Sequence, residues 1–128
     1  MTADSVLIDG TRYLVRHAGP SYATYSWAAE RLARWCELDL YTGPVRIKWY
    51  TVEPPDPEHR RVLRGFVHSD EPGVIYVRGD QTERETLIST GHEMYHRYEW
   101  RLGRELDEQA AEAYGRRVAD QYLKGDFR

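Results

Sequence analysis

The chain has a single cysteine, Cys36, among 128 residues. One cysteine excludes an internal disulfide and any cysteine-based zinc cluster. Cys36 falls at an apolar position of a helical pattern, which makes it a packing residue rather than a nucleophile. Apolar runs are short, well under the ~20 residues of a membrane span. The opening residues lack the basic-then-apolar pattern of a secretion signal, so a cytoplasmic protein is expected. A basic excess is missing too. The net charge is −3 and the pI near 5.9, against the basic surface of a nucleic-acid binder. Neither a nucleic-acid nor a membrane partner is therefore expected. Lysine is scarce, two residues against sixteen arginines, which reads as compositional bias rather than a binding surface. No internal repeat or low-complexity tract occurs. The remainder is the composition of one ordinary globular domain over residues 1–128, with 41% hydrophobic and 30% charged residues.

In chain order, Ser5–Ile8 and Thr11–His17 flank Asp9-Gly10, a favoured two-residue turn, and read as a β-hairpin. His17 at its end is expected to be a surface or capping residue. Ser21 can cap a helix over 22–38, in which Tyr22, Tyr25, Ala29, Leu32 and Cys36 recur at helical spacing as a core stripe. Thr42-Gly43-Pro44 breaks that helix, and 45–51 alternates as a half-buried strand. Residues 52–60, with Pro54, Pro55 and Pro57, form a loop that contains His59. Residues 61–68 and 74–78 read as two strands joined by a turn. Asp80 and Glu83 have the spacing of a capping box, so a helix is predicted over about 81–101. Leu87, Gly91, Met94 and Tyr98 lie on its packing face, with Gly91 marking close approach to the sheet. Gly103 stops it, Glu105–Leu123 reads as a second helix, and the tail from Lys124 is expected to fray.

Within the first of these two helices stands His92-Glu93-Met94-Tyr95-His96. Two histidines four residues apart share one helix face, where their imidazoles can occupy two corners of a tetrahedral zinc site. Glu93 lies about a quarter-turn round, able to reach a water at the metal without ligating it. A catalytic zinc site needs a third protein ligand. The second helix returns Glu108 close to the metal's level, and Glu105 and Glu112 share its face at i, i+3 and i+7 spacing. One of these carboxylates can bind the ion and another can orient a histidine through its free ring N–H.

The pattern His92-Glu93-x-x-His96 followed by Glu108-x-x-Ala111-Glu112-x-Tyr114 resembles the gluzincin metallopeptidases. In size and element order the chain is most similar to ImmA/IrrE-like and minigluzincin proteins. The resemblance covers about residues 63–123. It implies a Zn2+ ion held by His92, His96 and Glu108, Glu93 as the catalytic general base, and Glu112 orienting a ligand. It also implies a small zincin-like α+β domain: an N-terminal hairpin and helix, a short twisted mixed sheet of about three strands, the HExxH helix, and a C-terminal helix bringing the third ligand. An edge strand of that sheet would run along the cleft and hold the substrate backbone. The spacing from His96 to Glu108 is shorter than gluzincins usually show, and Glu112 stands where Asp or Asn is commoner. Glu105 and Glu112 therefore stay open as alternative ligands.

The expected function is zinc-dependent hydrolysis of peptide bonds, on a narrow protein or peptide substrate. His68, Tyr50 and Tyr114 are the candidates for stabilising the oxyanion. A competing expectation is a regulatory or interaction protein that keeps the zinc site with little general proteolytic activity. A purely structural zinc domain fits less well, because such a site has no use for Glu93.

Overall fold

The computed structural model describes residues 5–56, 64–68 and 70–127. They form an α+β domain with one five-stranded mixed sheet and three α-helices. The strands are β1 (Ser5–Ile8), β2 (Thr11–Ala18), β3 (Arg46–Glu53), β4 (Gly65–Phe66) and β5 (Val74–Arg78). Helix α1 spans Ser26–Leu40, α2 Glu83–Arg101 and α3 Glu108–Leu123. Among the described residues no helix is long and apolar enough to cross a membrane.

The hairpin forms at Asp9 and Gly10, which take φ of 49° and 81°, the left-handed pair a two-residue turn requires. It does not stand apart from a three-stranded sheet. Strand β2 pairs antiparallel with β3, and the order is β1-β2-β3-β5-β4. Strands β3 and β5 run parallel, with Ile47 opposite Ile75 and Trp49 opposite Val77. Alternation along these two strands separates two cores. Ile47, Trp49, Ile75 and Val77 face the helices, where they meet Leu32, Cys36, Leu87, Met94 and Val118. Tyr50, Val52, Val74 and Tyr76 project to the other face and meet Tyr13 and Val15. Strand β5 is consequently buried along its whole length, and β4 is the edge beside it. Of the strand expected over 61–68, Gly65–Phe66 is strand while Arg64, Val67 and His68 are not, and 61–63, like the loop residue His59, lie outside the described residues.

Helix α1 begins four residues later than the apolar spacing suggests. Ser21 sits in a 3-10 turn, Pro20–Tyr22, rather than at an N-cap. Tyr22 is 71% exposed, so it leaves the core stripe on which it was placed. The C-terminal tail does not fray at Phe127, whose ring stacks on Trp35 at 4.3 Å. His17 is half-buried with its ring against Tyr76.

The capping box of α2 is real but displaced by two residues. Asp80 accepts the Arg78 Nε–H at 2.6 Å and is not free to cap. Thr82 is the N-cap: its Oγ1 accepts the Glu85 N–H at 3.2 Å, and the Glu85 carboxylate accepts the Thr82 N–H at 3.3 Å. Thr82→Ala is expected to cost about 1 kcal/mol and to lower Tm by roughly 4 °C, as read by thermal melts. Asp80→Ala would have to show the larger capping loss for the original placement to stand.

Candidate metal centre

Three elements meet at the middle of α2. The α2–α3 contact comes first, because it fixes the distance between carboxylates and histidines. Gly91 of α2 packs against Gly115 and Val118 of α3, not against the sheet as its position suggested. A Cβ at Gly115 would fall 2.5 Å from the Ile88 carbonyl oxygen and 3.0 Å from the His92 N–H nitrogen. Two glycines thus let the helix backbones touch beside His92.

Helix α3 starts at Glu108, three residues later than expected, with Asp107 as N-cap accepting the Ala110 N–H at 3.0 Å. Glu105 lies in the exposed connection before it and does not share a helical face with Glu108 and Glu112. Glu108, in the first turn, reaches across to both imidazoles. Its Oε2 is 2.8 Å from His92 Nε2 and its Oε1 is 3.0 Å from His96 Nε2. The two Nε2 atoms are 3.1 Å apart. Donors on a tetrahedral zinc ion at ~2.05 Å would stand roughly 3.3 Å from one another, so this cluster needs only a small expansion to hold one.

The remaining ring nitrogens are already committed. His92 Nδ1 donates to Glu112 at 2.9 Å, and His96 Nδ1 donates to Glu99 at 2.9 Å. Carboxylates on both Nδ1–H groups fix the tautomer that turns both Nε2 lone pairs toward the shared point. Glu99 was missed in the sequence. It is 3% exposed, and its second oxygen accepts the Asp107 N–H at 2.9 Å. One carboxylate therefore ties the ring of His96 to the residue just before Glu108. The signal was available: Glu99 is three residues from His96, on the same side of α2.

Glu93 is buried, with Oε2 3.9 Å from His92 Nε2. Burial pushes its carboxyl up to about 8; the Glu108 carboxylate adds to this, the Arg64 guanidinium opposes it, and Glu112 adds again. Strand β4 closes over it. A Cβ at Gly65 would lie 2.8 Å from Glu93 Cγ, so only glycine lets the edge strand settle there. Gln81 holds that strand in place: its Nε2 donates to the carbonyls of Arg64 and Arg78, and Ser89 donates to its Oε1. Arg64, Gly65, Ser89, His92, Glu93 and Glu112 line a cleft of about 160 Å3. Glu108 is 71% exposed, so the side of the cluster away from Glu99 is open to solvent.

No family model, curated protein or solved structure matches this chain.

The oxyanion candidates fare differently. The Tyr114 hydroxyl donates to Asp39 at 2.9 Å, on the α1 side of α3, and does not face the cleft. Tyr50 is fully buried on the sheet face away from the helices, where burial first and the Glu93 charge second raise its hydroxyl's proton affinity, and it cannot touch a substrate. His68 is exposed beyond β4, its ring against Phe66 and Tyr76. The cation that does line the cleft is Arg64, whose Nη2 is 3.4 Å from both oxygens of Glu112. Burial alone would raise the Glu112 carboxyl, but His92, Arg64 and Arg116 outweigh it and hold it below the usual range. No spacing rule links Arg64 to a motif 28 residues later, so it was not legible.

Proposed function

We propose that the chain is a zinc-dependent metallopeptidase acting on a narrow protein or peptide substrate. The observation that carries this reading is the convergence of His92 Nε2, His96 Nε2 and the Glu108 carboxylate beside a buried Glu93. His92, His96 and Glu108 would hold the ion, and their separation and donor chemistry fit it. Bound zinc supplies Lewis-acid polarisation of a water and of the scissile carbonyl. Glu93 takes the proton of the attacking water and passes it to the leaving amine, a role suited to a carboxyl whose proton affinity is raised by burial. Glu112 and Glu99 keep the imidazoles aligned through this cycle. The outer edge of β4, next to Glu93, offers backbone groups to an extended substrate.

The deciding experiment compares zinc-loaded wild type with Glu93→Gln on a peptide library. Hydrolysis should fall by about 10²–10⁴-fold while zinc content stays the same. Equal cleavage by both proteins removes Glu93 from the mechanism. Zinc retained with no cleavage by wild type would favour the regulatory reading, for which the small cleft is the supporting observation.

A further inference from the structure

The C-terminal end of α2 carries a groove that the metal cluster does not use. It measures about 590 Å3, against about 160 Å3 for the cleft at Glu93. Its walls include Pro44 from the α1–β3 connection, Gly73 from the β4–β5 turn, and Arg97, Trp100 and Arg101 from α2. The Arg97 guanidinium lies 5.3 Å from the centre of the Trp100 ring and donates to the His68 carbonyl at 3.3 Å. Among the described residues neither Arg97 nor Arg101 has a carboxylate partner. In the neighbouring turn, Glu71 is taken by Lys48 and by the Tyr76 hydroxyl, and exposed Asp70 has no cation partner among the described residues. Two guanidinium groups with no carboxylate partner among the described residues thus share one groove on a chain of net charge −3.

The groove and the candidate cleft have separate linings, joined by one short segment of chain. Gly65 sits against Glu93, and the carbonyl of His68 sits against Arg97, so residues 65–68 run from one to the other. Along α2, Arg97 and Arg101 lie about 6–12 Å beyond Glu93 at ~1.5 Å rise per residue. An extended peptide covers ~3.3 Å per residue, so the same distance spans roughly two to four residues.

We propose that this groove binds an acidic polypeptide segment, with side-chain carboxylates pairing with Arg97 and Arg101 while the backbone follows residues 65–68. The guanidinium fork matches a carboxylate in two parallel hydrogen bonds, and the Trp100 ring gives the glutamate methylenes an apolar wall. The groove is then a specificity site for acidic residues two to four positions from the bond at Glu93. That register rests on the peptidase reading; the binding itself does not.

The test is an NMR titration of the full chain, purified with zinc and carrying Glu93→Gln so that no cleavage intervenes. The probes are an acetylated, amidated peptide alternating Glu and Ala, and the same peptide with Gln in place of Glu. The Glu peptide should shift the Trp100 indole N–H and Arg97 side-chain signals, and the Gln peptide should bind roughly tenfold more weakly or worse. Arg101→Gln should weaken the Glu peptide by roughly tenfold with zinc content unchanged, and Arg97→Gln by at least as much. Arg97 also secures His68, so exposed Arg101 decides the matter where Arg97→Gln does not fold. Equal affinity for the two peptides, an unchanged affinity in Arg101→Gln, no saturable binding, or inorganic phosphate competing as well as the peptide each overturns the proposal. Loss of hydrolytic function leaves this titration readable, and a failed titration leaves cleavage of neutral peptides untouched.

Discussion

Glu108→Ala is expected to lower zinc affinity by about a hundredfold or more, while Glu105→Ala leaves it unchanged. The magnitude follows from the free energy of zinc binding in small sites, roughly 10–16 kcal/mol over four donors, or ~3 kcal/mol for each. Glu108 is the carboxylate whose two oxygens stand 2.8 and 3.0 Å from the two Nε2 atoms, whereas Glu105 is exposed in the connection before α3. Its side chain is 71% exposed and contributes nothing to the core, so the variant should fold normally and isolate the metal effect. Glu112→Ala and Glu99→Ala remove the partner of a ring N–H instead of a donor, and about tenfold is expected for each. A competition titration against a coloured zinc chelator ranks the four variants. A larger loss at Glu112 than at Glu108 would transfer the ligand role to Glu112. Undiminished affinity in Glu108→Ala would remove the three-donor site, and with it the main support for hydrolysis.

What the sequence disclosed follows the range of the interactions involved. The Asp9-Gly10 hairpin, strand β5 and the spacing of His92, Glu93 and His96 are set by residues within a few positions of each other, and each was legible. Helix starts were misplaced where a competing partner decides them. Asp80 is claimed by Arg78, which moves the cap of α2 to Thr82, and Glu99 holds the Asp107 N–H, which starts α3 at Glu108 rather than Glu105. The acidic run from Glu105 has good helix formers, yet that anchor overrides propensity. At the site, Glu99 could have been found by its spacing from His96. Arg64 and Gly65 could not, because the pairing of β4 with β5 and the Gln81 side chain bring them over Glu93. The partner of Gly91 was misjudged for a similar reason. A glycine in a helix announces close approach, but its pattern does not say to what.

That close approach makes Gly115→Ala the most damaging small substitution expected in the fold. In an ordinary helix interior the change stabilises by about 1 kcal/mol, since alanine is the better helix former. Here the added methyl would meet the Ile88 carbonyl oxygen at 2.5 Å and the His92 nitrogen at 3.0 Å, both backbone atoms of the facing helix. Neither can turn aside, so α2 and α3 must separate. A loss of about 3 kcal/mol is expected, the upper range for an overpacked core. Gly91→Ala is obstructed from the other side of the same contact, by a Val118 methyl at 2.6 Å and the Gly115 Cα at 2.9 Å, so it too should push the helices apart. The site should suffer in step with the fold. Glu108 and Glu112 reach His92 and His96 only across this contact, so separation of even 1 Å lengthens every cross-helix distance at the cluster. Urea unfolding with and without zinc tests both halves of the argument. Destabilisation together with a zinc affinity lowered at least tenfold is the expected pair of results. A Gly115→Ala protein as stable as wild type would mean that the two helices do not touch at this point, and the geometry of the cluster would lose its foundation.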